Sequence, residues 1–291
     1  MLRTATRDFD LGPTLDVSRA LGEIGKVAPA NEFAELHGLM HAEDGTAAGW
    51  YVVEVASQAR TVTDRYGDHL SARARAFLAV LSECATDTEV AIGSAVKEAA
   101  RMLGARTDAA KLTEKDLEVA FRAALEAEPA LSAVRTQGSV TLRTWPRVGC
   151  VDVVAAGAEG RVACELKWWS TSAGRYQTLW DLTKLGSLLR EGAFELAFLL
   201  SGASPAVWAL DDDHTRVFDD GRHDVSQLCT ISTNWWTSPV HSETVVPALI
   251  ETAGTGRASL DVNGSAFELR AARLVANEGL WQVPARVRSV P

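Results

Sequence analysis

The hydrophobic pattern divides the chain into a helical first part, a strand-rich middle and a looser end. In Ala30 to His41, Phe33, Leu36, Leu39 and Met40 recur at helical spacing, and the run stops at Glu43-Asp44-Gly45. Gly49 to Tyr66 is mixed: Tyr51-Val52-Val53 reads as strand, but Val55, Ala59, Val62 and Tyr66 recur at helical spacing, and helix is preferred. His69 to Cys84 and Glu89 to Leu103 predict two more helices, the second Ala-rich and stopped by Gly104. Thr113 suits an N-cap, with Asp116 three residues later giving an approximate capping box. Leu117, Ala120, Phe121, Ala124 and Leu125 then share one face of a helix that ends before Pro129.

After Pro129 the period changes. Ser139 to Arg143 alternates like a strand, and Val148 to Val154 and Arg161 to Trp168 are two β-rich runs. The glycines of Ala155-Ala156-Gly157-Ala158-Glu159-Gly160 between them predict a hairpin turn. A helix from about Tyr176 to Arg190 follows, then an apolar strand from Phe194 to Leu200, with Ala206 to Leu210 offering another. Asp211-Asp212-Asp213 reads as a solvated turn, and an aromatic knot sits at Asn234-Trp235-Trp236. Val245 to Ala253 suggests a short helix, and Asp261 to Ser265, between apolar runs, a hairpin. These elements predict an α/β fold with a central mixed β-sheet flanked by helices over residues 111–210. A mainly helical region over 1–110 precedes it, and a small β-rich extension over 211–291 follows.

The same alternation places candidate chemistry. Glu165 and Lys167 project from one side of their strand, while Cys164, Leu166 and Trp168 turn to the other, into the core. Asp152, on the preceding strand, lies within lateral reach of Glu165. Two carboxylates beside one ammonium are not something core packing requires. They suit phosphodiester hydrolysis: Asp152 and Glu165 would be hard oxygen ligands for one or two Mg²⁺ ions, with the backbone carbonyl of Leu166 as a further ligand. Mn²⁺ would substitute. Lys167 would position or deprotonate the attacking water and offset charge on the phosphorane, its pKa lowered by a positive neighbour and partial burial. The bland alternative is a solvated strand face on which the three residues merely pair.

Val151-Asp152-Val153-Val154, followed across a hairpin by Cys164-Glu165-Leu166-Lys167-Trp168 and set between two helices, resembles the PD-(D/E)xK, or restriction-endonuclease-like, nuclease superfamily. Asp181 to Leu185 and then Gly192 to Leu200 resemble the helix and strand that follow the active site in several bacterial branches. The resemblance covers about residues 112 to 210, and Val151 stands where the family name has Pro. It implies a first-helix Glu that joins the metal site, for which Glu118 is the preferred match and Glu114 the alternative. It also implies auxiliary polar residues on the second helix, here Gln177, Asp181 and Lys184.

Composition bounds these readings. In 291 residues, 47% apolar and 23% charged, the chain is ordinary globular material. It has no apolar run long enough to span a membrane and no secretory leader, so a cytoplasmic protein without membrane contact is expected. The net charge of -9 argues against a protein that coats DNA non-specifically. Between Thr141 and Glu191, however, seven basic residues meet five acidic ones, which makes this segment the best suited to a polyanion. Cys84, Cys150, Cys164 and Cys229 form no CxxC pair; Cys150 and Cys164 read as small buried hydrophobes. His37 and His41 are four apart but lack the Glu of HExxH and a third ligand. Of nine tryptophans, most suit core packing, but Trp169 falls on the Glu165 face and could stack on a base. The expected activity is therefore a Mg²⁺-dependent nuclease, an endonuclease by preference, acting on DNA before RNA, with the N-terminal region selecting substrate or a protein partner. Two rivals stand beside it: a catalytically silent binding or adaptor module that kept the fold, and an RNA-cleaving defence or toxin effector.

Overall fold

A computed structural model of the chain describes residues 17–31, 49–106, 111–141, 148–170, 178–224 and 249–275. Most of the helix expected over Ala30 to His41, the aromatic knot around Trp235, and Gln177 lie outside the described residues.

Helices α1 (Val17–Val27), α2 (Gly49–Tyr66) and α3 (Ala72–Ser82) close on one another through Ala20, Ile24, Val55, Ala59, Val62, Phe77 and Leu78. In α2 the helical stripe of Val55, Ala59 and Val62 prevails over the local strand propensity of Tyr51-Val52-Val53, because that stripe is what the neighbouring helices bury. Helix α4 (Asp87–Gly104) starts at a reciprocal cap, in which Thr86 accepts from the Glu89 amide and Glu89 from the Thr86 amide. Helix α5 (Glu114–Ala127) starts the same way at Thr113 and Asp116, and its expected face of Leu117, Ala120, Phe121, Ala124 and Leu125 is buried. Among the described residues no helix is long and apolar enough to cross a membrane.

The strands are β1 (Ser132–Thr141), β2 (Val148–Gly157), β3 (Gly160–Trp169), β4 (Leu196–Ala203), β5 (Gly221–Asp224), β6 (Leu249–Val262) and β7 (Ser265–Val275). They form one mixed sheet in the order β1-β2-β3-β4-β7-β6-β5. The first three run antiparallel, β4 lies parallel to β3 after the crossover helix α6 (Thr178–Arg190), and the remaining pairings are antiparallel. This is an α/β fold with both faces covered. Leu117 and Phe121 of α5 and Val96 and Leu103 of α4 meet Cys164, Leu166, Phe198 and Leu200 on one face. Leu182, Leu185 and Leu188 of α6 meet Ala163, Trp169 and Leu199 on the other.

Several expectations need correction. Ala206 to Leu210 is not a strand: Pro205 opens a single helical turn, α7 (Pro205–Trp208), whose Trp208 is buried and donates its indole N–H to the Glu268 carbonyl. Asp212 is more than a solvated turn, since it caps the short helix α8 (Asp213–Arg216). Val245 to Ala253 is not a helix where it is described: from Leu249 it is β6, with Ile250 and Thr252 buried at alternate positions between β5 and β7. The C-terminal strands join the central sheet, because β7 pairs with β4 from Ala197↔Leu274 to Ala203↔Glu268. The expected hairpin at Asp261 to Ser265 turns through Asn263 and Gly264, both at positive φ.

Helix α4 lies close on β6. A Cβ at Gly93 would stand 2.9 Å from the Thr255 carbonyl oxygen and 3.1 Å from the Val53 side chain. We predict that Gly93→Val costs about 1–3 kcal/mol by overpacking this contact. Urea denaturation checks it; an unchanged midpoint would mean that α4 rides further from the sheet.

Candidate active site

The site begins where a strand ladder stops. Strands β2 and β3 pair from Gly157↔Gly160 as far as Val153↔Cys164. At the next position Asp152 Oδ2 accepts the Leu166 amide at 2.8 Å, so a side chain takes the place of a backbone carbonyl. Strand β3 meanwhile stays paired with β4 as far as Trp169↔Ala203. Glu165 and Lys167 share the face of β3 that α6 covers, as alternation predicts, and Asp152 stands beside them.

Helix α6 brings two more charges. Lys184 Nζ lies 2.6 Å from Glu165 Oε1, donates to the Cys150 carbonyl at 2.8 Å and stands 3.7 Å from Asp181 Oδ1. Lys167 Nζ lies 3.3 Å from Asp181 Oδ2 and 3.4 Å from Glu114 Oε1, in the first turn of α5. The result is an alternating row, Glu114, Lys167, Asp181, Lys184, Glu165, with Asp152 adjoining. Glu165 is 1% exposed and Asp181 3%, so its inner part is cut off from water.

Burial governs the electrostatics. Burial, with Asp181 and Asp152 nearby, pushes the Glu165 carboxyl well above the usual carboxylate range despite Lys184. Burial also pushes Asp181 up, against the pull of Lys167 and Lys184. Lys167 goes the other way from expectation. Burial would lower it, but Asp181, Glu114, Asp152 and Glu165 outweigh burial and push the ammonium up. The positive neighbour foreseen for Lys167 is a set of carboxylates instead. With these neighbours Lys167 is held as an ammonium.

The other expected residues divide. Asp181 and Lys184, read as auxiliary, are inside the cluster itself. Glu118 pairs with Lys115 at 2.7 Å, and it is Glu114, one turn earlier, that reaches Lys167. Leu166 buries its side chain in the core, while its carbonyl, like its amide, points toward β2 by strand geometry. Trp169 lies on the expected face but is only 2% exposed. Its ring meets Trp208 at 4.9 Å and Phe218 at 5.7 Å, and its indole N–H donates to Thr178, which leaves no face on which a base could stack. Cys164 is buried, with its thiol pushed up by burial and so unreactive. Cys150 corrects the expectation of burial: it sits beyond the end of the β2–β3 ladder and is exposed. What sequence reading missed is the direct contact of Lys184 with Glu165. Its signal is an acid and a base three residues apart on a helix whose neighbours Leu182, Leu185 and Leu188 are apolar.

The donors gathered here are hard oxygens, the type a divalent cation takes. Glu165 Oε1 and Asp181 Oδ2 are fully buried, and each faces an ammonium, at 2.6 Å and 3.3 Å. Among the described residues no group of three or more His, Cys, Asp or Glu is gathered to hold a metal ion alone. Mg²⁺, however, keeps several waters and needs only one or two carboxylates; Asp152 and Glu165 are the two that could hold it. Comparison with known family models, curated proteins and solved structures gave no match to the chain.

A carboxyl pushed up on folding stabilises the folded state below the ordinary carboxylate range, and that stability is lost as pH rises through the raised value. Glu165→Gln removes this loss. In EDTA the variant should therefore lose less stability than wild type between pH 5 and pH 8. Thermal melts at both pH values check it, and an equal loss in the two proteins would show that the Glu165 carboxyl is not held up by burial.

Proposed function

We propose that this protein hydrolyses phosphodiester bonds of nucleic acid, DNA by preference, at a metal-dependent site of the PD-(D/E)xK type. The observation that carries the reading is the meeting of Asp152, Glu165 and Lys167 where the β2–β3 ladder stops. The order of elements supports it: helix α5, three antiparallel strands, helix α6, then a parallel strand, in keeping with the resemblance read from the sequence. Asp152 and Glu165 are the residues that would hold Mg²⁺ or Mn²⁺, with the Leu166 carbonyl beside them. The cation, when bound, supplies Lewis-acid stabilisation of the phosphate oxygens.

The chain's own residues supply the rest. The Leu166 amide fixes one oxygen of Asp152, so that carboxylate meets substrate already oriented. Lys167 is aimed by Asp181 and Glu114 and held as an ammonium. Its work is to orient the attacking water and the scissile phosphate and to offset charge as it builds on the phosphate oxygens. Trp169, Trp208 and Phe218 pack on one another in the core on the α6 side of the sheet, a role in packing rather than in binding bases.

One observation favours a second reading. Lys184 and Lys167 already neutralise much of the cluster without a metal, as a catalytically silent module that binds a partner would also allow. Purified protein incubated with supercoiled plasmid, linear duplex, single-stranded DNA and RNA in Mg²⁺ or Mn²⁺ separates the two. Cutting should vanish in EDTA and fall at least about 100-fold in Lys167→Ala and in Asp152→Ala. Nicking of the supercoiled plasmid would mark an endonuclease. If wild type and both folded variants are equally inert on every substrate and with both metals, the binding-module reading replaces this one.

A further inference from the structure

Lys184 has the surroundings of a bound cation. Its ammonium is buried on α6 and is met by Glu165 Oε1 at 2.6 Å, the Cys150 carbonyl at 2.8 Å and Asp181 Oδ1 at 3.7 Å. These are the hard oxygen donors that a divalent cation seeks. Its helix is seated on the sheet by Leu182, Leu185 and Leu188, so the ammonium is delivered by a rigid element rather than a loose surface arm. Lys167 is engaged elsewhere, between Asp181 and Glu114.

We propose that Lys184 is a tethered cation that occupies the oxygen cluster in place of a divalent ion and sets the metal concentration at which the site loads. The inference rests on the reading of Asp152 and Glu165 as divalent-cation ligands. While Lys184 holds Glu165, that carboxylate faces a cation already, and a second one placed beside the ammonium is repelled. Loading requires Lys184 to release Glu165. In this arrangement the lysine keeps the buried carboxylates tolerable in the metal-free protein and makes the site respond to metal over a defined range.

Mn²⁺ binding without nucleic acid tests this, read from the electron paramagnetic resonance of free Mn²⁺ in wild type, Lys184→Gln, Lys184→Met and Lys184→Arg. The dissociation constant should fall at least about tenfold in the Gln and Met variants, where a like charge has been removed at close range, and should not fall in Arg. Gln can still donate to the Cys150 carbonyl and is the milder change. In EDTA, Lys184→Met should melt lower than wild type, and Mn²⁺ should restore it. The wild type gives an independent reading: the Lys184 ammonium should show a slowly exchanging NMR signal in EDTA that is lost on saturation with Mg²⁺. Persistence of that signal at saturation overturns the proposal. So does unchanged or weaker Mn²⁺ binding by a folded Gln variant while wild type binds, an outcome that leaves the metal site standing. Saturable Mn²⁺ binding by none of the folded proteins overturns the metal site and the proposal together.

Discussion

Three carboxylates and two ammoniums share a space from which water is largely shut out, and the central architecture is arranged to keep them there. In such a space an ion without a counter-ion is costly, whereas a paired one is tolerable. The pairing is uneven. Asp152, Glu165 and Asp181 outnumber Lys167 and Lys184, and burial, more than that excess, makes Glu165 and Asp181 hold protons more tightly than exposed carboxylates do. Glu114 adds a further negative charge at the rim and, after Asp181, helps to keep Lys167 cationic. A packed core gains nothing from this arrangement.

Holding that cluster takes both faces of the sheet. On one side α5, buried through Leu117 and Phe121, fixes its own first turn and so the place of Glu114. On the other, α6 presents Asp181 and Lys184 from a helix otherwise anchored by leucines. Between them β3 leaves its antiparallel partner at Cys164 and stays with its parallel partner to Trp169. The site is the gap that this change of partners opens, closed at its head by the hydrogen bond from Leu166 to Asp152.

Much of this was legible because it is local. Period-two alternation put Glu165 and Lys167 on one face, and the capping box of Thr113 with Asp116 followed from residues three apart. What escaped reading depends on distant segments. Trp169 has the right face, but Trp208 and Phe218, brought in by a helical turn that reads as a strand and by the turn after α8, bury its ring. Leu249 to Ala253 is helical in local pattern and becomes a strand because β7 and β5 offer it ladders on both edges. The choice between Glu114 and Glu118 turns on where α5 starts relative to β3, which spacing along one helix cannot fix. The state of Lys167 depends on four carboxylates drawn from α5, β2, β3 and α6, so no single stretch of sequence carries it.

The proposed function has Asp152 and Glu165 take up a divalent cation. The most direct measurement is diffraction from crystals of the protein soaked in Mn²⁺, read at the manganese absorption edge. The expected result is an anomalous peak bounded by Asp152 and Glu165, with Lys184 turned away from Glu165. A cluster that keeps its lysine contacts, with no peak at millimolar Mn²⁺ or with a peak elsewhere on the protein, would contradict it.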